Sequence, residues 1–268
     1  MPKTETITSP ANPLVREVRR AIAKGGLTQD GLCIAEGLHL LEEALRSGRE
    51  IAAVLVGESA QPALRKWHRH LARIKVAVLP DRLLQTLAAT DNSQGVVTLV
   101  RPPSWVLEQM FEACPLIVVL EQLQDPGNVG TIVRAAEAFG ATGVIALSGT
   151  VSPYNPKTLR ASAGSLFRVP YLHTVSAEAL IDAFRQKGVP LWAAVPARSR
   201  ESVQTLSEAD LAAPCGLLIG NEAHGIGPAM RAASREVSIP TVGVESLNAA
   251  MAAGILLYEA HRQRALRR

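Results

Sequence analysis

The sequence predicts an α/β protein of two domains, the larger built on a mostly parallel sheet. Three observations carry this. Short apolar runs alternate with amphipathic stretches of helix length along most of the chain. The run Leu116-Ile117-Val118-Val119-Leu120 is apolar at every position, the pattern of a strand buried on both faces of a parallel sheet. The double proline Pro102-Pro103 breaks the alternation. It divides a smaller α/β domain (residues 1–104) from a linker (105–114) and the larger domain (115–268).

In order, residues 1 to 12 form an extended lead-in, with Pro10 and Pro13 bracketing Asn12. Leu14 to Ala23 reads as an amphipathic helix stopped by Gly25-Gly26. Strands follow at Leu32 to Ala35, Ile51 to Val56, Val76 to Leu79 and Val96 to Val100. Helices fall between them at Leu38 to Arg46, Pro62 to Ile74 and Leu83 to Ala88. In the larger domain, strands are expected at Leu116 to Leu120, Val144 to Leu147, Val169 to Leu172, Leu191 to Val195 and Leu217 to Ile219. The helices are Val129 to Phe139, Ala177 to Lys187 and Leu247 to Arg264.

Composition narrows the function. Over 268 residues, 47% hydrophobic and 19% charged content describes a globular chain with a sizeable core. No apolar run approaches the ~20 residues a spanning helix needs, so no membrane role is expected. The N-terminus does not have a signal-peptide pattern. Cys33, Cys114 and Cys215 are odd in number and far apart, which suits neither a disulfide framework nor a metal cluster. A cytoplasmic protein without a metal site is expected.

Net charge is only +4, but the basic residues are clustered. The stretch from Arg65 to Lys75 holds five basic residues, two histidines and a tryptophan, with Arg65, Lys66 and Arg69 at its start. Arg16, Arg19 and Arg20 share the first helix, and Arg262, Arg264, Arg267 and Arg268 mark the tail. Such patches attract polyanions by releasing condensed counterions, and three of them in a near-neutral chain point to RNA. Each alone also fits a solvated helix face.

Three constellations have chemical potential. Asp125-Pro126-Gly127-Asn128 follows a buried strand, at the sheet edge where open α/β folds bind ligands. Arg134 lies six residues beyond Asn128, close enough to two helical turns to suggest a shared face. Gly220-Asn221-Glu222-Ala223-His224-Gly225 follows another strand, with Glu222 at the rim and His224 second in line for acid–base work. Three glycines in eight residues (Gly220, Gly225, Gly227) permit positive φ and close approach to a ligand. Ser246-Leu247-Asn248 opens an alanine-rich helix. Taken singly, each is also an ordinary turn or helix cap. Neither a phosphate loop nor a dinucleotide fingerprint is present, which weighs against a nucleotide-dependent oxidoreductase.

In this order and spacing, the three stretches resemble the three motifs of the SpoU/TrmH family of RNA ribose 2′-O-methyltransferases. The resemblance runs from Leu116 to about Ala260 through Asn128, Arg134, Gly220, Glu222, Gly225, Ser246 and Asn248. Ala35-Glu36-Gly37 before a helix resembles, more loosely, the ribosomal-protein-like RNA-binding domain often fused to this family.

The resemblance implies a deep trefoil knot in the C-terminal domain, although knots are nearly absent from proteins. It implies a homodimer and S-adenosylmethionine as cofactor, held near Leu218, Gly220, Ile239, Leu247, Asn248 and Ala249. The reaction implied is methyl transfer to a ribose 2′-hydroxyl, with ribosomal RNA favoured over transfer RNA. A catalytically silent RNA-binding factor of the same fold is the alternative. Arg134 is expected at the reacting oxygen, stabilising the developing alkoxide, because a guanidinium resists the deprotonation a base requires. Asn128 would orient Arg134 or the ribose, Glu222 would pair with Arg134 or hold substrate, and Ser246 and Asn248 would fix the geometry.

Overall fold

A computed structural model describes residues 3–88, 93–196 and 203–267. The chain forms two compact units. One is Met1–Ser104 together with Ser152–Arg168; the other is Trp105–Val151 together with Val169–Arg268.

The first unit contains β1 (Lys3–Thr6), β2 (Cys33–Glu36), β3 (Ile51–Gly57), β4 (Lys75–Leu79) and β5 (Val96–Val100). Their order is β1-β4-β3-β5-β2, with β1, β4 and β3 parallel and β5 antiparallel to both its neighbours. Helix Pro13–Lys24 begins where Asn12 Oδ1 accepts the Leu14 N–H at 2.9 Å, and it ends at Gly25 in the left-handed conformation. It buries Val15, Val18 and Ala21 in a core with Leu55, Leu79 and Leu99.

Three expectations change here. The lead-in forms β1, whose Thr4, Glu5 and Thr6 are exposed, so an edge strand leaves no hydrophobic pattern in the sequence. The basic helix is a 3₁₀ turn, Gln61–Trp67, followed by a single α-turn, His68–Leu71. Leu64 and Trp67, both buried, are three residues apart, a spacing that suits three residues per turn. The helix expected at Leu83 to Ala88 runs Asp81–Gln85, and the Thr86 hydroxyl donates back to the Leu83 carbonyl at 2.7 Å.

Residues 152–168 interrupt the larger domain in sequence but pack in the first unit. Arg160 Nη1 lies 3.7 Å from Glu36, and Arg168 Nη1 lies 2.5 Å from the buried Glu43 carboxylate and 3.0 Å from Ser47 Oγ. Leu159, Leu166 and Phe167 are buried there.

The second unit holds seven strands: β6 (Leu116–Leu120), β7 (Gly143–Leu147), β8 (Tyr171–Val175), β9 (Leu191–Val195), β10 (Gln204–Thr205), β11 (Cys215–Ile219) and β12 (Arg235–Ser238). All pair in parallel, in the order β10-β12-β9-β11-β6-β7-β8. One face of the sheet buries Ile117, Val119, Ile145 and Leu218 against Leu180 and Phe184 of helix Ala177–Lys187. The strand expected from Val169 begins at Tyr171, because Pro170 has no N–H to donate and offers only its carbonyl, which accepts Val144 N at 2.8 Å. β10 and β12 lie outside the strands that the sequence pattern predicts, since one is two residues long and the other mixes charge with apolar residues.

This order puts β11 and β6 side by side, with Ile219 opposite Leu120. The loops leaving their carboxyl ends therefore share one edge of the sheet.

Candidate active site

Asp125 caps helix Pro126–Ala138, its Oδ1 accepting Gly127 N at 2.7 Å, and Asn128 sits in the first turn. Asn248 caps helix Ala249–Leu266 in the same way: its Oδ1 accepts Ala250 N at 2.9 Å and Met251 N at 3.2 Å. With its oxygen engaged, the Asn248 carboxamide turns its Nδ2 to Asn128 Oδ1 at 3.1 Å. Asn128 is left with its own Nδ2, which donates to Glu222 Oε1 at 2.7 Å. Three residues distant in sequence thus form one directed chain, each amide's orientation set by the previous bond. It ends on an exposed carboxylate.

The turn carrying Glu222 is held from both sides. Asn221 and Gly225 exchange backbone hydrogen bonds at 3.0 and 2.9 Å, and Asn221 Oδ1 accepts Ala223 N and His224 N at 2.8 and 3.0 Å. Of its three glycines only Gly225 has positive φ, at 68°. Gly220 is there for space: a Cβ on it would lie 2.6 Å from the Gly225 carbonyl carbon and oxygen. Beneath the turn, the buried Glu121 accepts Gly227 N at 2.9 Å. Glu121 and Asn221 have structural roles that the motifs themselves do not announce. An acid directly after an all-apolar strand was the available signal for the first.

Beside this chain opens a cleft of about 1030 Å³, walled by the ends of β9 and β11, the glycine turn and the segment from Ile239 to Ala252. Of the residues expected to hold a cofactor, Gly220, Ile239, Leu247, Asn248 and Ala249 line it, as do Glu222, His224 and Ser246. Leu218 does not; its side chain is fully buried in the core, because alternation along β11 puts it on the face opposite to Ile219, which lines the cleft. Small residues and exposed backbone on these walls suit a nucleoside-sized ligand held by main-chain groups.

Arg134 is exposed on helix Pro126–Ala138 and has no polar partner among the described residues. The expected shared face with Asn128 does not form, since six residues at 3.6 per turn separate the two by about 120° around the helix. Glu222 accordingly pairs with Asn128 instead of Arg134. Close by in the fold, helices Pro126–Ala138 and Ala249–Leu266 pack together, and Phe139 meets Tyr258 edge-on at 5.8 Å. Met251, Ile255 and Tyr258 recur at helical spacing, and Met251 and Tyr258 are more than half exposed (57% and 55%).

The basic patches divide. Arg16, Arg65 and Arg69 are exposed and without partners among the described residues. Arg19 donates to Thr86, Arg20 pairs with Glu17, and Lys66 lies over Trp67 at 4.0 Å while bonding Glu42 at 3.3 Å. The tail is not a free patch. Arg262 pairs with Glu259, Arg267 with Asp210, and Arg264 donates to the carbonyls of Cys114, Pro115, Leu211 and Ala213. Arg268 lies outside the described residues. Burial pushes the Cys33 thiol up to about 12 and the Cys215 thiol to about 11, so neither is a thiolate at neutral pH.

Comparison with known proteins decides the family. The model described as the SpoU rRNA Methylase family matches residues 115–258. The chain belongs to this family. A second model, RNA 2′-O ribose methyltransferase substrate binding, matches residues 34–106 of this SpoU methyltransferase. An uncharacterized tRNA/rRNA methyltransferase of Synechocystis is 36% identical, covering 96% of this chain and 94% of its own. The 23S rRNA (uridine(2479)-2′-O)-methyltransferase of Streptomyces viridochromogenes is 33% identical over 88% of this chain and 85% of its own. Among solved structures, an AdoMet-bound rRNA methyltransferase from Sinorhizobium meliloti superposes with a TM-score of 0.81. It is 29% identical, with 97% of this chain and 98% of that one covered.

Proposed function

We propose that this SpoU methyltransferase methylates a ribose 2′-hydroxyl of ribosomal RNA at the lip of the cleft, using S-adenosylmethionine, as a cytoplasmic homodimer. The observation that carries the reading is the directed chain Asn248–Asn128–Glu222 beside a cleft able to hold the cofactor. Names of relatives such as the 23S rRNA (guanosine(2553)-2′-O)-methyltransferase of Bacillus subtilis support ribosomal RNA over transfer RNA.

When bound, S-adenosylmethionine supplies a methyl group already activated by sulfonium charge. What remains for the protein is positioning and charge stabilisation. Glu222 has one carboxylate oxygen engaged by Asn128. Its other oxygen accepts a hydrogen bond from the ribose and sets the angle of the hydroxyl. Asn128 keeps Glu222 oriented, and Asn248 keeps Asn128 oriented. Ser246, on the cleft wall, holds the ribose edge. Arg134 stabilises the negative charge developing on the 2′-oxygen, and a substrate phosphate or water takes the proton.

Arg134 performs this role on the partner subunit's site. In support, it is exposed and has no polar partner among the described residues, on a helix packed against the one that carries the exposed Met251 and Tyr258 with the half-buried Ile255 between them, a face suited to a second copy. Family likeness supports a trefoil knot in residues 115–268. Arg16, Arg65 and Arg69 on the domain of residues 1–104 contact RNA phosphates; the substrate-binding match at residues 34–106, which includes Arg65 and Arg69, supports this.

The test is transfer of labelled methyl from S-adenosylmethionine to protein-free ribosomal RNA. Arg134→Ala abolishes transfer while cofactor binding persists, and mixing it with Asn128→Ala protomers restores one working site per mixed dimer. Wild-type rates from Arg134→Ala alone would rule out its role.

A further inference from the structure

Gln122, two residues beyond β6, has a backbone φ of 55°. That left-handed region is costly for any residue with a Cβ, and non-glycine residues held there concentrate at functional sites. Glycine would occupy it freely. The conformation is clamped: Asn221 Nδ2 donates to the Gln122 carbonyl at 2.8 Å, and Asn221 belongs to the cleft wall. Gln124 Nε2 braces the same loop by donating to the Gly149 carbonyl. Glu121 is turned inward to Gly227, while the Gln122 side chain is exposed, its carboxamide without a hydrogen-bond partner among the described residues. Thr174, at φ 60° near the end of β8, is a second strained residue on this edge, two strands along. A β-branched residue in that region is a marked outlier.

We propose that Gln122 is a specificity-determining residue, its carboxamide hydrogen-bonding the edge of an unpaired base in the RNA substrate. The inference rests on the RNA-methylating reading above. A splayed-out base presents donor and acceptor side by side on its Watson–Crick edge, and one carboxamide matches both. Asn221 ties the Gln122 loop to the turn bearing Glu222, so the group that reads the base and the group that orients the ribose are held in fixed relation. Retaining a strained glutamine where glycine is cheaper is explained by a use for its side chain.

Gln122→Gly keeps the backbone conformation, relieves the strain and removes the carboxamide. Gln122→Glu keeps the length but exchanges the donor for an acceptor. Both variants and wild type are assayed on unmodified large-subunit ribosomal RNA made in vitro, with labelled S-adenosylmethionine and mapping of 2′-O-methyl positions. Cofactor affinity and Tm are measured alongside. For Gln122→Gly we expect unchanged or higher Tm, unchanged cofactor affinity, and kcat/KM for RNA lower by roughly 10-fold, the cost of one lost base contact, with methylation spreading to other nucleotides. Gln122→Glu also loses kcat/KM. An unchanged rate and methylation map for Gln122→Gly overturns the inference, as does a loss matched by weaker cofactor binding or a lower Tm. If wild-type protein transfers no methyl to RNA, the parent reading fails and takes this inference with it.

Discussion

Asn128 and Glu222, 94 residues apart in the chain, are joined by a 2.7 Å hydrogen bond from Nδ2 to Oε1. The bond depends on a third residue. Asn248 spends its oxygen on capping a helix and its nitrogen on Asn128, which leaves Asn128 only its donor for Glu222. A helix cap therefore orients the carboxylate of Glu222.

This double use of Asn248 can be taken apart. Asn248→Ser keeps a capping oxygen and removes the donor, whereas Asn248→Ala removes both. The alanine variant is expected to lose about 1 kcal/mol of stability, a Tm drop of roughly 2–4 °C, while the serine variant stays near wild type. Both should lose methyl transfer by on the order of 10-fold or more, as befits a lost orienting hydrogen bond. Calorimetry and labelled-methyl assays read the two effects separately, and a fully active serine variant would show the donor to be idle.

Gly220 tests the cradle. A Cβ there meets the Gly225 carbonyl at 2.6 Å, backbone against backbone, so the turn must open. Gly220→Ala should weaken S-adenosylmethionine binding by on the order of 10-fold, the effect of about 1.4 kcal/mol. Titration calorimetry checks this; unchanged affinity would mean the turn does not form the cofactor wall.

The buried thiols set an alkaline limit on stability. Cys33 titrates at about 12 in the fold against 9.0 for an ordinary thiol, because burial disfavours the thiolate. The folded state keeps its proton where the unfolded chain releases one. Stability from this group is thus complete below pH 9 and falls as pH rises towards 12, by at most about 1.4 kcal/mol per pH unit. Cys215, pushed to about 11, adds the same trend over a narrower window. Cys33→Ala should flatten the decline in Tm between pH 9 and 10.5, and an equal slope in the variant would contradict this.

Much of the architecture was legible in the sequence. The β5 strand and the helices Leu38–Arg46 and Ala177–Lys187 fall where their patterns put them, since apolar spacing and caps are local signals. The site motifs were also local: glycine turn, acid and asparagine each stand out in a few residues. What the sequence concealed depends on distant partners. β1 and β10 are edge strands without a buried face, and residues 152–168 reveal their place through distant partners, Glu36 and Glu43 among them. Asn128 reads locally as a cap, yet Asp125 caps that helix and frees Asn128 for Glu222. Gln122 carries no sequence signal at all, because backbone strain is visible only once the loop is closed.

The most direct measurement is methyl transfer to ribosomal RNA by Asn128→Asp. The substitution keeps an oxygen for Asn248 and places a second carboxylate against Glu222, so the orienting bond becomes a repulsion. We expect kcat/KM lower by on the order of 100-fold, the cost of losing a preorganised donor, with cofactor and RNA affinities retained. Transfer at the wild-type rate would contradict the account.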